Sequence, residues 1–325
     1  MPNAPDTDMH TVDTEQRSGA YKDFLNKLTA GGILTPAGAP GLYDRHEPYR
    51  AVIERVSALI ERTSRRESRL VANGTWEVHR FGPILPSSTY EKTDYVESFP
   101  HLTGIISVFT GGNKEHNRII QARSRNAEWR HHLEPGDSMM VSAACHPLYA
   151  QLPSTLPAEG VTADVEGWCF RHEPSTDPFR LQSFRMRELV YAGDSEGAQG
   201  FREGWIPVVR DMLKSLGLPV DAGPANDPFF GRVGNLLAGG QLEKDLKTEF
   251  VVPVYGPELE PVAIASCNNA EDHFGSRFSL TTSSGEVAST ACTAFGLDRI
   301  TLALFATHGT DLGAWPAAAK SALGL

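Results

Sequence analysis

The stretch that leaves this chain the fewest folds is residues 168–190, WCFRHEPSTDPFRLQSFRMRELV. Apolar Trp168 to Phe170 lead into Arg171-His172-Glu173 and a proline-containing polar segment. A second run with Phe184, Leu189 and Val190 follows. The pattern predicts an antiparallel hairpin with a long loop. Arg171 and Glu173 stand two apart at the end of the first strand, so their side chains are expected on one face of the sheet. A guanidinium fork matches a phosphate, and a carboxylate accepts a hydrogen bond from an exocyclic amine such as that of adenine. Phe184, on the returning strand, offers a ring on which a base can stack. These residues predict a nucleotide site built on a sheet rather than on a glycine-rich loop.

The rest of the chain supplies the elements around that hairpin. Tyr21, Phe24, Leu25 and Leu28 recur at helical spacing before Gly31-Gly32. From His46 to Arg66, Tyr49, Val52, Ile53, Val56, Leu59 and Ile60 form an apolar stripe opposite several arginines, which predicts an amphipathic helix. Asn73-Gly74 marks a turn, and Trp76 to Leu85 reads as a strand ended by Pro86. A strand IISVF begins at Ile105, and the run SMMVSAACHPLYA over 138–150 reads as a buried strand that breaks at Pro147. That reading places Cys145 on a strand and points His146 to the opposite face. A helix is expected within 199–216, where Pro207 could kink or split it. After a Gly/Pro loop at 217–240 come three strand-like runs, Thr248 to Tyr255, Val262 to Cys267 and Arg277 to Thr282. The last stretch reads as a strand, Gly296, then a helix carrying Arg299.

Composition removes several classes of function. The 325 residues carry a formal net charge of -10, which argues against a broad nucleic-acid surface, because phosphate binding needs concentrated Lys and Arg. Residues 1–18 lack the apolar core of a signal peptide, and no apolar run approaches the ~20 residues of a membrane span. A cytoplasmic protein with no membrane partner is expected. Cys145, Cys169, Cys267 and Cys292 lie far apart without CxxC spacing, which argues against a disulfide framework and leaves buried thiols or metal ligands.

In order along the chain, these elements resemble the three motifs of class II aminoacyl-tRNA synthetases. The long helix and proline-ended strand resemble motif 1, and Arg171-His172-Glu173 with Phe184 to Glu188 resembles motif 2. The final strand and Arg299 helix resemble motif 3. The resemblance covers residues 45–325 and implies an α/β fold of the α+β type, an antiparallel sheet flanked by helices. It implies one catalytic domain over 21–325 after a disordered tail at 1–20, without a tRNA-binding domain. Motif 1 implies a homodimer. Arg171 would hold the α-phosphate of ATP, Glu173 the adenine amine, Phe184 the base, and Arg299 the γ-phosphate. Arg171 and Arg299 would serve as the catalytic pair, with Mg²⁺ sharing the charge of the polyphosphate. Lys247 and Glu249 are further candidates for the nucleotide and its metal, because the acidic residue nearest the strand over 262–267 is Glu260.

Cys145, Glu188 and Cys292 resemble the zinc set of the atypical archaeal seryl-tRNA synthetases and their bacterial relatives. Zn²⁺ takes thiolate and carboxylate ligands and can keep a position open, which the amino group of a substrate would fill. Cys267 is the rival for the third ligand. A synthetase-like core without a tRNA domain resembles the bacterial amino acid:carrier protein ligases. It implies activation of a small amino acid, glycine or alanine, and transfer to the phosphopantetheine thiol of a carrier protein, with no tRNA. The alternatives are a tRNA-charging seryl-type core working with a partner, and a non-catalytic paralogue acting as a binding subunit. Carrier proteins are generally acidic, so Arg202, Arg210 and Lys214 on the helix after motif 2 are the expected docking charges.

Overall fold

The computed structural model describes residues 7–225 and 245–325. Its strands are β1 Leu34–Pro36, β2 Tyr43–Arg45, β3 Glu77–Phe81, β4 Ile84–Pro86, β5 Ile105–Val108, β6 Glu134–Met140, β7 Val161–Phe170, β8 Ser183–Gly193, β9 Asp221–Pro224, β10 Lys247–Val252, β11 Val262–Asn269 and β12 Ser289–Gly296. Seven of them form one sheet in the order β3-β7-β8-β12-β11-β10-β9. Every neighbouring pair in it is antiparallel except β3 with β7. Strands β4, β6 and β5 make a smaller sheet, and β1 pairs with β2.

One face of the large sheet is covered by the helices Glu47–Arg66, Ser195–Ser215 and Leu297–His308. Their apolar stripes bury Val52, Val56, Trp205, Leu213, Ile300 and Leu304 against Leu189, Tyr191, Ala291 and Phe295 of the strands. Each fully buried side chain of this size is worth about 1.5–3 kcal/mol relative to exposure, so this face carries most of the packing. The other face keeps a smaller core around Cys145, Leu148, Tyr149, Cys169 and Val190. It opens beside that core into a cleft of about 680 Å³.

Several local expectations are corrected. The tail is helical from Thr7, in one helix that runs to Ala30. Along it, Phe24 and Tyr21 pack on Phe179 and Tyr255, while residues 1–6 lie outside the described residues. The strand expected over Trp76–Leu85 is two strands in two sheets, because Gly82-Pro83 interrupts the ladder between β3 and β4. The buried strand expected over 138–150 ends at Met140; Cys145 instead caps a short helix, His146–Tyr149. Pro147 sits in the first turn of that helix, where its missing N–H costs nothing. The run Arg277–Thr282 is not a strand either. His273–Phe278 forms a helix that lays Phe274 and Phe278 against Tyr149. Pro207 neither ends nor splits Ser195–Ser215, whose start is capped by the Asp194 carboxylate accepting from the Gly197 N–H at 2.6 Å. Part of the loop expected at 217–240 is strand β9; its residues from 226 onward lie outside the described residues.

Candidate active site

Strand alternation assembles the floor of the cleft. On β8, Arg185, Arg187 and Leu189 turn toward the helices, and Met186 and Glu188 therefore turn toward the cleft. Antiparallel register sets Glu188 opposite Ala294, Ala294 opposite Ser266, and Ser266 opposite Glu249. The neighbouring row runs Val190, Cys292, Asn268, Lys247. Polar groups from separate strands thus share one surface without being close in sequence.

At one end of that surface stand Cys145, Glu188 and Cys292, whose ligand atoms all lie within 4.8 Å of one another. Cys145 arrives from the turn after β6, and this turn is tied down by Glu188. The Glu188 carboxylate accepts the Ala144 N–H at 3.0 Å and the Cys145 N–H at 3.2 Å. Cys292 Sγ donates to Glu188 Oε2 at 3.4 Å. The contact with Cys145, then burial and the Glu188 charge, push the Cys292 thiol well above its ordinary value. For Cys145 the contact with Cys292 acts downward, but burial and Glu188 outweigh it and the thiol also rises. Three groups that would each be anionic as ligands crowd one buried point, and a cation is what would let all three ionise together. The donor set, two sulfurs and a carboxylate, fits zinc.

Cys267 pairs in register with Thr293, one residue from the Asn268–Cys292 pair, so it faces the helices. Its sulfur lies 3.5 Å from Thr293 Oγ1, and burial pushes its thiol to about 12. Cys169 is buried in the smaller core. His146 is not on a strand at all but lines the cleft beside Cys145, and burial, Arg171 and His273 push its ring down to about 3.

At the other end are the arginines. Arg171 and Glu173 lie in the loop beyond β7 rather than on the strand, where the Glu173 N–H donates to the Arg171 carbonyl at 2.8 Å. Strand alternation therefore does not set their directions, yet both line the cleft. Arg171 Nε donates to the Ser142 carbonyl at 3.1 Å, and its guanidinium carbon sits 5.5 Å from the Phe184 ring centre. Glu173 is paired with Arg180 at 3.1 Å. Arg299 Nε donates to the Phe179 carbonyl at 3.2 Å and Nη1 to the Ala263 carbonyl at 3.1 Å. Burial first, then the charges of Arg180 and Arg171, push Arg299 down to about 10. Three guanidiniums held this close favour a multiply charged anion between them. Lys247 Nζ lies 2.9 Å from Glu249 Oε1, so that candidate pair neutralises itself. Glu260 is 80% exposed and pairs with Arg17.

The sequence reading missed Arg180 and Asp298. Asp298 is buried and accepts from Arg45 Nε at 2.8 Å, Tyr49 Oη at 2.6 Å and the Arg185 N–H at 2.5 Å, which locks the start of the Arg299 helix to the hairpin. An acidic residue in a helix's first turn ordinarily answers the helix dipole, so nothing in the sequence marked it. Of the expected docking charges, Arg202 is buried, bonded to Thr248 Oγ1 at 2.9 Å and to Asp245 at 3.2 Å. Arg210 is half-buried and Lys214 exposed.

A large antiparallel sheet with this arginine-bearing hairpin and a closing strand-to-helix unit is a class II aminoacyl-tRNA synthetase-like core. The chain superimposes on the Methanopyrus kandleri seryl-tRNA synthetase bound to Aquifex aeolicus tRNASec with a TM-score of 0.77 and 20% identity, over 93% of this chain and 60% of that one. It is 39% identical over 327 residues to amino acid–acyl-carrier-protein ligase 1 of Bradyrhizobium diazoefficiens, covering 100% of this chain and 94% of that protein. Ligase 2 of the same organism is 40% identical over 305 residues, 93% and 88% of the respective chains. The chain belongs to the amino acid–acyl-carrier-protein ligases and is an enzyme of that family. No family model matches the sequence. Among the described residues no helix is long and apolar enough to cross a membrane.

Proposed function

We propose that this ligase activates glycine or alanine with ATP and loads the aminoacyl group onto the phosphopantetheine thiol of a carrier protein in the cytoplasm. The observation that carries the reading is the cleft itself, with clustered guanidiniums at one end and the Cys145–Glu188–Cys292 group at the other. In the first step a substrate carboxylate oxygen attacks the α-phosphorus, the α–β phosphoanhydride bond breaks, and pyrophosphate leaves. In the second, the carrier's sulfur attacks the carbonyl carbon of the aminoacyl-adenylate, AMP leaves with the bonding pair, and the thiol proton passes to solvent.

Arg171 would hold the α-phosphate and Arg299 the γ-phosphate, opposing the charge that develops during attack. Phe184, already stacked under the Arg171 guanidinium, would present its ring to the base. Glu173 would accept from the adenine amine on exchanging part of its Arg180 contact. Cys145, Glu188 and Cys292 would hold zinc, which when bound supplies a coordination position for the substrate's amino group. Magnesium fits less well as a resident ion, because Glu249 is taken by Lys247; it is assigned to the incoming nucleotide. Tyr149 is buried beside Cys145 and stacks on Phe274 with ring centres 4.2 Å apart. That aromatic wall beside the metal ligands supports a small side chain. Arg210 and Lys214 remain to receive an acidic carrier, and the acidic chain supports the absence of tRNA.

Amino-acid-dependent ATP/pyrophosphate exchange, followed by transfer assays with holo carrier protein and with tRNA, tests the proposal. Exchange with glycine or alanine and transfer to the carrier alone are expected. Arg171→Ala and Arg299→Ala should each lower exchange by about 10²- to 10³-fold with the fold intact. Preference for serine with charging of tRNA would return the chain to its synthetase neighbours, and absence of any exchange would overturn the proposal.

A further inference from the structure

The loop joining β7 to β8 carries Arg171, Glu173 and Arg180, and it is gripped from outside the cleft. Within it Asp177 is buried; one carboxylate oxygen accepts the Phe179 N–H at 2.9 Å and the Tyr255 hydroxyl at 2.5 Å. The Phe179 ring is buried as well, stacked on Phe24 of the N-terminal helix at 5.6 Å and edge-on to Tyr255 at 5.7 Å. Tyr21 closes the group with its ring 4.9 Å from that of Tyr255. Burial and the Asp177 charge push Tyr255 well above the ordinary tyrosine value, so its hydroxyl keeps its proton and remains a donor.

This grip ends on the nucleotide half of the cleft. The carbonyl of Phe179, whose ring is in the aromatic group, accepts from Arg299 Nε, and Arg180, next in the chain, pairs with Glu173. The Ala263 carbonyl gives Arg299 its second anchor, from β11. A guanidinium fixed at two carbonyls has a set plane; released from one, it can swing. Glu188 and Cys292, by contrast, are placed by strand register and owe nothing to the loop.

We propose that Tyr255 and Phe24 are positioning residues for the nucleotide: by clamping Asp177 and Phe179 they aim Arg299 and steady the Arg180–Glu173 pair. The N-terminal helix then belongs to the ATP site although it touches no nucleotide. The inference rests on the ATP-dependent reading above, and its test separates the two.

Steady-state exchange is measured for the full chain and for Tyr255→Phe, Phe24→Ala and Phe24→Tyr, varying ATP and amino acid separately. Tyr255→Phe and Phe24→Ala should raise KM for ATP about tenfold, as misplaced binding groups do, with KM for the amino acid within about twofold. Bound zinc should be unchanged, and Phe24→Tyr, which keeps the ring, should restore KM for ATP. An unchanged KM for ATP in Tyr255→Phe overturns the proposal. So does a parallel rise in both constants, which would mean general loosening of the fold. If Phe24→Ala does not fold, Tyr255→Phe decides alone. A wild-type chain without exchange would overturn the functional reading and this inference with it.

Discussion

One residue of register separates two cysteines with different fates. Cys292 and Asn268 are partners across β12 and β11, whereas Cys267 pairs with Thr293, and alternation puts the two sulfurs on opposite faces. Metal analysis should show zinc lost from Cys292→Ala and retained by Cys267→Ala. The reverse pattern would sink the assignment of the third ligand. Sequence alone supplied both cysteines, and proximity to the motifs favoured the one whose sulfur the register sets beside Glu188 and Cys145. It could not supply the register, which is fixed by pairing between strands distant in the chain. The same holds for Arg180: its role depends on where the loop folds back, and a lone arginine in a polar loop carries no such mark.

Strand β8 works as a two-sided element. Its cleft side carries Glu188, and its other side sends Arg187 into the protein, 1% exposed. There Arg187 pairs with Asp164 through both guanidinium ends and donates to the Ser57 carbonyl at 2.8 Å. Glu166 joins in, accepting from Ser57 Oγ at 2.7 Å and from Arg185 at 2.5 Å, and so ties the helix Glu47–Arg66 to the hairpin. Arg187→Ala strands a buried carboxylate and should destabilise the fold by about 3–5 kcal/mol, read from denaturant midpoints. Burial alone would raise the Glu166 carboxyl, but Ser57, Arg185 and Arg187 bring it below its ordinary 4.5. Its contribution is therefore present above the unfolded value of 4.5 and lost as pH falls from there through the lower folded value. Glu166→Gln should flatten the stability–pH curve in that window, and an unchanged slope would count against the network. At this scale the three long helices over the larger core and the hairpin were legible from periodicity. The run over 138–150 was not, because small apolar residues read alike in a strand and a buried turn. Contacts from distant residues hold the turn: the Glu188 carboxylate accepts from Ala144 and Cys145, and Arg171 donates to the Ser142 carbonyl.

For the whole molecule, the unfinished surface is the small sheet. Ile84 on β4 and Ile105 on β5 are 50% and 49% exposed, and Phe109 is 42% exposed. The helix Glu47–Arg66 spends its apolar stripe on the chain's own core, so an interface between copies would centre on the small sheet rather than on that stripe. Register pairs Ile84 with Met140 and Ile105 with Met139, neighbours on β6, so the two isoleucines leave opposite faces of the sheet, and Ile84 marks the face turned away from buried Leu85 and Met139. A dimer mass is expected at micromolar concentration, and the change Ile84→Glu should yield monomer. A wild-type monomer would remove the motif 1 reading. Strand β6 lies between β4 and β5, and beyond its end the chain forms the turn that offers the Ser142 carbonyl to Arg171 and Cys145 to Glu188. Were two copies to close over this sheet, a subunit parted from its partner would lose the backing of both ends of its own cleft, and dilution would titrate catalysis together with mass.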